Sequence, residues 1–166
     1  MRVTWAIPLM LLLAGAASSV AIGAAPVGDD VLKPVSVQMA DAGRSALARG
    51  DANAAIDFFE AALASDPKNV GAFTGIAMSY EKLGLPGKAV KYYREALALN
   101  PSDLAALEGQ GKAFITQGAT ARAQVNLARI KALCKTDCTA ATRLQAALNT
   151  ATVASAEPAK TAPAKN

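Results

Sequence analysis

Small and large apolar residues recur through the middle of the chain with a spacing of 34 residues. Shifting the stretch from residue 70 to residue 101 by this spacing, in either direction, superimposes the same kinds of residue. The shift aligns Phe59 with Tyr93 and Tyr93 with Leu127. A fixed period of this length is typical of repeat proteins. The pattern therefore predicts structural units stacked side by side, with these three side chains in equivalent interior sites.

Each predicted unit is bounded by residues that interrupt helices. Gly50, Gly84 and Gly118 stand where the two helices of each unit would turn, and glycine adopts backbone conformations that other residues avoid. Pro67 and Pro101 follow the second helix of the first two units, where proline stops a helix. Because one helical hairpin cannot bury its apolar stripe alone, roughly three or more stacked hairpins are needed for a continuous core.

The pattern resembles the tetratricopeptide repeat, a helix–turn–helix unit. The middle unit carries the family's residue types at Phe73, Ile76, Ala77, Tyr80, Ala89, Tyr93, Ala96 and Pro101. The first unit is looser, and the third has Gln110 at an apolar position and Lys135 in place of the closing proline. The resemblance implies an all-α fold, a right-handed solenoid of three hairpins at about residues 36–69, 70–103 and 104–137, closed by a capping helix at residues 138–150.

Residues 1–21 have the pattern of a secretory signal peptide, with Arg2 before an apolar run and small residues after it. The run is short for a membrane span, which needs about 20 apolar residues. We predict cleavage after Ala21, or as late as Ala24, and a periplasmic or secreted protein, so the chain resembles a small exported bacterial member of the family. The alternative is an uncleaved segment that anchors the chain in a membrane.

The segments that flank the repeats have little to bury. Residues 22–35 contain several glycine and proline residues and are predicted to be a flexible linker. Residues 151–166 consist mainly of Ala, Thr, Pro and Lys and are predicted to be a disordered tail. The folded tetratricopeptide domain is therefore predicted to span residues 36–150.

The composition argues against catalysis. The 166 residues include no histidine, which removes the usual proton shuttle at neutral pH and the commonest metal ligand. No glycine-rich phosphate loop precedes a Lys-Ser or Lys-Thr pair. The net charge is +4, and the basic residues late in the chain are not interleaved with the exposed aromatic residues that nucleic-acid binding favours. We predict no enzyme activity, cofactor, metal or nucleic-acid partner.

Cys134 and Cys138 form the one local cluster that could carry chemistry. In an exported protein such a pair is most simply a disulfide, and here it would fasten the capping helix to the last repeat. The alternative is a thiol–disulfide redox protein, in which Asp137 caps the final helix and the helix dipole lowers the pKa of the Cys138 thiol. The Cys-x-x-x-Cys spacing and the lack of a βαβ pattern argue against it. Zinc would need more ligands than two cysteines supply.

The resemblance also implies where a protein or peptide partner would bind. In the family, the first helices of successive hairpins line a groove that holds a partner segment. Carrying these positions over predicts a partner-binding set of Arg44, Leu47, Thr74, Met78, Glu81, Lys82, Glu108, Lys112 and Ile115.

Members of the family that grip a C-terminal carboxylate carry polar clamps where this chain has Ala40, Thr74 and Ala105. We therefore expect a short helix or extended peptide held by shape, by the adaptable Met78 and by the cations of Arg44 and Lys112. The implied function is a non-catalytic periplasmic adaptor or scaffold, first of all in pilus, secretion or cell-envelope assembly. Alternatively, several of these residues only support the solenoid, or the protein assembles with copies of itself. The oligomeric state stays open.

Overall fold

The computed structural model describes residues 31–134 and 138–156 of the chain. Seven helices occur in these ranges: Pro34–Ala48 (α1), Ala52–Ser65 (α2), Val70–Lys82 (α3), Pro86–Leu99 (α4), Leu104–Thr116 (α5), Thr120–Leu133 (α6) and Thr139–Ala156 (α7). The same ranges contain no strand. Helices α1 and α2, α3 and α4, and α5 and α6 pack as hairpins, each hairpin packs on the next, and α7 packs on α5 and α6. The predicted all-α solenoid of three hairpins with a capping helix is confirmed.

The turn inside each hairpin depends on a glycine. Gly50, Gly84 and Gly118 have φ angles of 86°, 71° and 74°, which lie in the left-handed region that residues with a Cβ atom rarely adopt. The three positions are the ones that the 34-residue period aligned, so the predicted turns are confirmed.

Polar side chains cap the N-termini of three helices. Asp51, Asn69 and Asp103 each accept a hydrogen bond from the backbone N–H three residues ahead, with donor–acceptor distances of 3.0, 3.0 and 2.7 Å. Such N-caps satisfy backbone groups that a helix leaves unpaired, and each typically contributes about 1 kcal/mol. The caps fix where α2, α3 and α5 begin, and Asp103 thereby lies at the start of the third hairpin.

Large side chains from the second helices fill the core between small residues of the first helices. Phe59, Tyr93 and Leu127 are 0%, 1% and 6% exposed, which confirms their predicted interior sites. A Cβ atom added to Gly75 would lie 2.3 Å from Cζ of Phe59, and one added to Gly109 would lie 2.2 Å from Oη of Tyr93. Both distances are far below van der Waals contact, so these glycines let α3 and α5 approach the aromatic rings.

Two predicted boundaries differ from the structure. Helix α1 begins at Pro34, inside the predicted linker, because proline suits the first turn of a helix and Ser36 donates a 2.8 Å hydrogen bond to the carbonyl of Ala62. Helix α7 continues to Ala156, beyond the predicted end at residue 150. The first residues of the predicted disordered tail are therefore helical, as their alanine content favours.

Other predictions fall on parts of the chain that the structure does not describe. The predicted signal peptide, residues 22–30 of the linker and residues 157–166 of the tail lie outside the described residues. In the ranges that are described, every helix is too short or too polar to cross a membrane.

Candidate functional site

A cavity of about 730 Å³ lies on the first helices of the hairpins, a size typical of ligand-binding clefts. We call it the groove. Its walls are formed by α1 and α3 and by the beginning of α5. The lining residues are Arg44, Leu47, Ala48, Phe59, Gly71, Thr74, Gly75, Met78, Glu81, Lys82, Asp103 and Ala105. Six of the nine residues predicted to bind a partner are among them, namely Arg44, Leu47, Thr74, Met78, Glu81 and Lys82.

Helix α3 supplies half of the residues that line the groove, because of the spacing of its residues. Gly71, Thr74, Met78 and Glu81 follow one another at intervals of three and four residues, which places them on one face of a helix. Glycine at position 75 lets the Phe59 ring of α2 pack directly against α3, so the fully buried ring lies beneath the groove floor. The sequence places Phe59 in the core, but it does not show that a cavity lies above the ring.

The groove walls are apolar at Leu47 and Met78. The Met78 side chain is 45% exposed, and its flexible thioether adapts to differently shaped partners. The floor beside it has a different character. Thr74 is 8% exposed, and its Oγ1 atom is buried without a hydrogen-bond partner in the described part of the chain. An unpaired buried hydroxyl costs about 1–3 kcal/mol, so the groove floor contains one unsatisfied polar group.

Charges of both signs surround the apolar floor. The cations are Arg44, which pairs with Asp41, and the exposed Lys82. The carboxylates are Glu81 and Asp103, and Asp103 is occupied as the N-cap of α5. The groove therefore has no strong excess of either charge.

Glu81 is held by a residue of the core. The Tyr93 hydroxyl donates a 2.7 Å hydrogen bond to its Oε2 atom. Burial raises the pKa of the Glu81 carboxyl above its ordinary value, and the hydrogen bond from Tyr93 and the charge of Lys112 offset only part of this effect. Burial, together with the nearby Glu81, also raises the pKa of Tyr93. The interior and the groove are thus joined through one hydrogen bond.

The structure places the other three predicted residues, Glu108, Lys112 and Ile115, outside the groove. Glu108 is 6% exposed and its Oε1 atom lies 2.6 Å from Nζ of Lys112. Arg143 of α7 reaches the same carboxylate, with Nε 2.7 Å from Oε1 and Nη2 2.5 Å from Oε2. Lys112 is therefore paired within the protein, but its side chain is 41% exposed, so its contact with a partner stays a prediction. Ile115 packs against the core formed by α5, α6 and α7.

The ion pairs at Glu108 explain why the groove ends there. Burial raises the pKa of the Glu108 carboxyl, but the hydrogen bonds and charges of Arg143 and Lys112 outweigh it and hold the pKa below its ordinary value. The capping helix thus closes this end of the first-helix face. Sequence reasoning missed Arg143 because it lies 35 residues from Glu108, with no periodic signal that joins them. It missed Asp103 at the groove edge, although its capping position is visible in the sequence.

The two cysteines lie where the capping helix begins. The Sγ atoms of Cys134 and Cys138 are 2.05 Å apart, a disulfide distance, and both residues pack against the core formed by α5, α6 and α7. A cavity of about 340 Å³ adjoins them, between α5 and α7. Asp137, which the redox alternative requires, lies outside the described residues. In the described ranges, no group of three or more Asp, Glu or Cys side chains could hold a metal ion.

Two models of the tetratricopeptide repeat match the chain, one over residues 40–69 and one over residues 70–103. No curated protein sequence matches it.

Three solved structures illustrate the similarity of fold. The first TPR domain of Spaghetti (RPAP3), bound to the HSP90 peptide SRMEEVD, is 22% identical with a TM-score of 0.65, covering 74% of this chain and 94% of that one. The type III secretion translocator chaperone SycD of Yersinia enterocolitica is 15% identical with a TM-score of 0.67, covering 78% and 100%. The Sgt2 TPR domain of Aspergillus fumigatus is 23% identical with a TM-score of 0.66, covering 81% and 89%. With the 34-residue period and the glycine turns, the two model matches identify residues 40–103 as tetratricopeptide repeats, and the solved structures show that the chain has the same fold.

Proposed function

We propose that this protein is a non-catalytic adaptor that binds a short segment of a partner protein in the groove. The observation that carries the proposal is a cavity of about 730 Å³ with an apolar floor and charged groups at its edge. Such a surface suits an extended or helical peptide, which buries side chains in the floor and pairs its polar groups at the rim.

Proteins of the same fold support this function. The RPAP3 domain holds an HSP90 peptide, and SycD is a chaperone of type III secretion. We further propose that the adaptor acts in the periplasm or outside the cell, as the predicted signal peptide indicates, in pilus, secretion or envelope assembly. The mass of the mature protein isolated from its host tests this proposal: processing after Ala21 or Ala24 supports export, whereas a full-length cytoplasmic product contradicts it.

Position-specific cross-linking tests the groove as the binding face. A photoreactive amino acid replaces Met78, which lines the groove, or Leu99 of α4, which does not. The two side chains are matched in exposure, at 45% and 47%, so they differ mainly in location. We expect a discrete cross-linked partner from position 78 and none from position 99, in intact cells. Equal cross-linking from both positions would show that the groove is not the binding face.

A second, distinct proposal concerns Cys134 and Cys138, whose Sγ atoms lie at disulfide distance at the start of α7. We propose that the bond fastens the capping helix; the alternative is a redox site that exchanges electrons with other thiols. Equilibration with glutathione at the redox potential of the host compartment separates the two. Persistence of the bond supports the fastening role, whereas rapid exchange supports the redox role.

A further inference from the structure

We propose that the outward face of α6 binds α2 of a second copy of this chain, so that the protein self-associates through two of its second helices. The inference goes beyond the adaptor function, because none of the residues that line the groove belongs to α4 or α6. It assigns an interaction surface and identifies the partner as another molecule of the same protein.

Helix α6 carries a second apolar surface, on the side that faces away from the core. Ala121, Val125, Ala128 and Ala132 follow one another at intervals of four, three and four residues, so they lie on one face of the helix. All four are exposed, and we call them the α6 stripe. Helix propensity would explain the alanines alone. Valine is a poorer helix former, yet Val125 is 61% exposed.

The other two hairpins show that the fold does not require this stripe. The equivalent positions of α4 and α2 lie 34 and 68 residues earlier and are exposed as well. Helix α4 has the cations Lys91 and Arg94 at two of these positions, and α2 has the carboxylates Asp57 and Glu60 at the same two. Core packing therefore leaves the residue type free here, and only α6 presents an apolar surface to its surroundings.

Cations flank the α6 stripe without a carboxylate partner among the described residues. Arg122 lies over an aromatic ring, 3.9 Å from its centroid. Arg129 donates a 3.0 Å hydrogen bond to a backbone carbonyl, and Lys131 donates one of 3.2 Å to a glutamine side chain. Helix α6 itself contains no acidic residue. Its outward face is therefore apolar along the centre and positively charged at the edges.

Helix α2 presents the complementary surface. It contains no lysine or arginine, and neither Asp57 nor Glu60 forms an ion pair within the described part of the chain. Beside them, Phe58 is 37% exposed. The small side chains of the α6 stripe let another helix approach closely, the aromatic ring supplies apolar area to bury, and the opposite charges select and orient the partner.

The contact has to form between two molecules. Within one molecule, α2 packs on α1 and α3, whereas α6 packs on α5 and α7, so the middle hairpin separates the two surfaces. Because the surfaces differ, the contact is heterologous. A single pair of helices buries a small area, so the association is weak, and its charged edges make it sensitive to salt.

Complementary charge reversal tests the contact. One variant carries Arg122→Glu and Arg129→Glu on α6, and the other carries Asp57→Arg and Glu60→Arg on α2. Sedimentation velocity measures self-association of the wild type and of each variant over increasing protein concentration, and then association in an equimolar mixture of the two variants. Circular dichroism checks that each variant is folded.

We expect the wild type to self-associate, and more weakly at high salt. Each variant alone should self-associate at least about tenfold more weakly, because its two surfaces then carry the same charge. The mixture should recover the association of the wild type, since the negative α6 of one variant meets the positive α2 of the other. A merely structural role of these residues would not produce this recovery.

A matched pair of substitutions tests the α6 stripe itself. Val125→Asp and Val153→Asp introduce the same charge at valines that are 61% and 66% exposed. Val153 belongs to α7 and lies outside the stripe. We expect Val125→Asp to weaken self-association and Val153→Asp to leave it unchanged.

Three results would overturn the inference. They are a wild type that stays monomeric at every concentration, a mixture that associates no more than the separate variants, and equal effects of Val125→Asp and Val153→Asp. None of them bears on the adaptor function, which the cross-linking comparison of positions 78 and 99 decides separately.

Discussion

Replacing Gly75 with alanine tests the packing that forms both the core and the groove. An alanine Cβ atom at this position would lie 2.3 Å from Cζ of Phe59 and 2.5 Å from both Cε atoms. The Phe59 ring is fully buried, and it is also close to Gly43 of α1, where an added Cβ would lie 2.8 Å from Cδ1. Since glycines of two helices enclose the ring, it cannot move away from α3 without disturbing α1.

Two opposing effects determine how much Gly75→Ala changes the free energy of unfolding. Alanine in a helix interior is more favourable than glycine by about 0.5–1 kcal/mol. Overpacking of a well-packed core costs about 1–3 kcal/mol, and sometimes more. The enclosed position of Phe59 places the cost at the upper end of that range. We therefore expect Gly75→Ala to lower the free energy of unfolding by about 2–2.5 kcal/mol.

The assay is urea unfolding followed by far-UV circular dichroism, with Gly87→Ala as the matched control. Gly87 is an exposed helical glycine of α4, and a Cβ atom there would meet only Nε2 of Gln117, at 3.5 Å. This control should be neutral or slightly stabilising. Replacing Phe59 with leucine should make Gly75→Ala less damaging, as a double-mutant cycle would show. Equal stability of Gly75→Ala and Gly87→Ala would refute the packing argument.

Three further predictions concern other parts of the fold. Glu108→Gln should destabilise the protein at neutral pH. The lowered pKa of Glu108 stabilises the folded state at pH values above 4.5, the ordinary pKa of this carboxyl, and that stability is lost as the pH falls through the folded-state pKa. Glu81→Gln should instead stabilise the protein at neutral pH, because the raised pKa of Glu81 disfavours its ionised form there. Urea titrations at pH 7 and pH 3 measure both, and effects of the same sign would contradict the assignment. Ser36→Ala should cost about 1–3 kcal/mol, since it leaves a buried hydrogen-bonded network incomplete; a loss below about 0.5 kcal/mol would show that the network contributes little. Joint replacement of Cys134 and Cys138 by serine should cost about 2 kcal/mol in thermal or urea unfolding under oxidising conditions, and should have no effect in the presence of a strong reductant.

The sequence was sufficient to predict the features that repeat. One period predicts the turn glycines and the interior positions of Phe59, Tyr93 and Leu127, because each hairpin packs on its neighbour with the same residue types at the same positions. Most of the groove follows as well, since the positions of Thr74 and Met78 on α3 depend only on helical spacing.

Contacts that polar side chains make between helices were not predictable from the period. Gln110 stands at an apolar position of the family pattern, yet it is buried because Asn126 donates a 3.0 Å hydrogen bond to its side chain. Arg143 reaches Glu108 from another helix in the same way. Long polar side chains can reach several neighbouring residues, and the repeat spacing does not determine which of these residues becomes the hydrogen-bond or ion-pair partner. The pairing of Lys112 with Glu108 was not predicted for this reason.

Equivalent positions on the first helices of the three hairpins thus lie in three different environments. At Ala40 the position is apolar, and at Glu108 a buried charge is neutralised by cations from α5 and α7. Between them, Thr74 has a buried hydroxyl without a hydrogen-bond partner in the described part of the chain. A buried polar group without a partner lowers stability, and the two equivalent positions show that the fold can fill this site with an apolar side chain or satisfy a polar one. Of the three equivalents, the middle hairpin therefore has the least stabilising residue at this position.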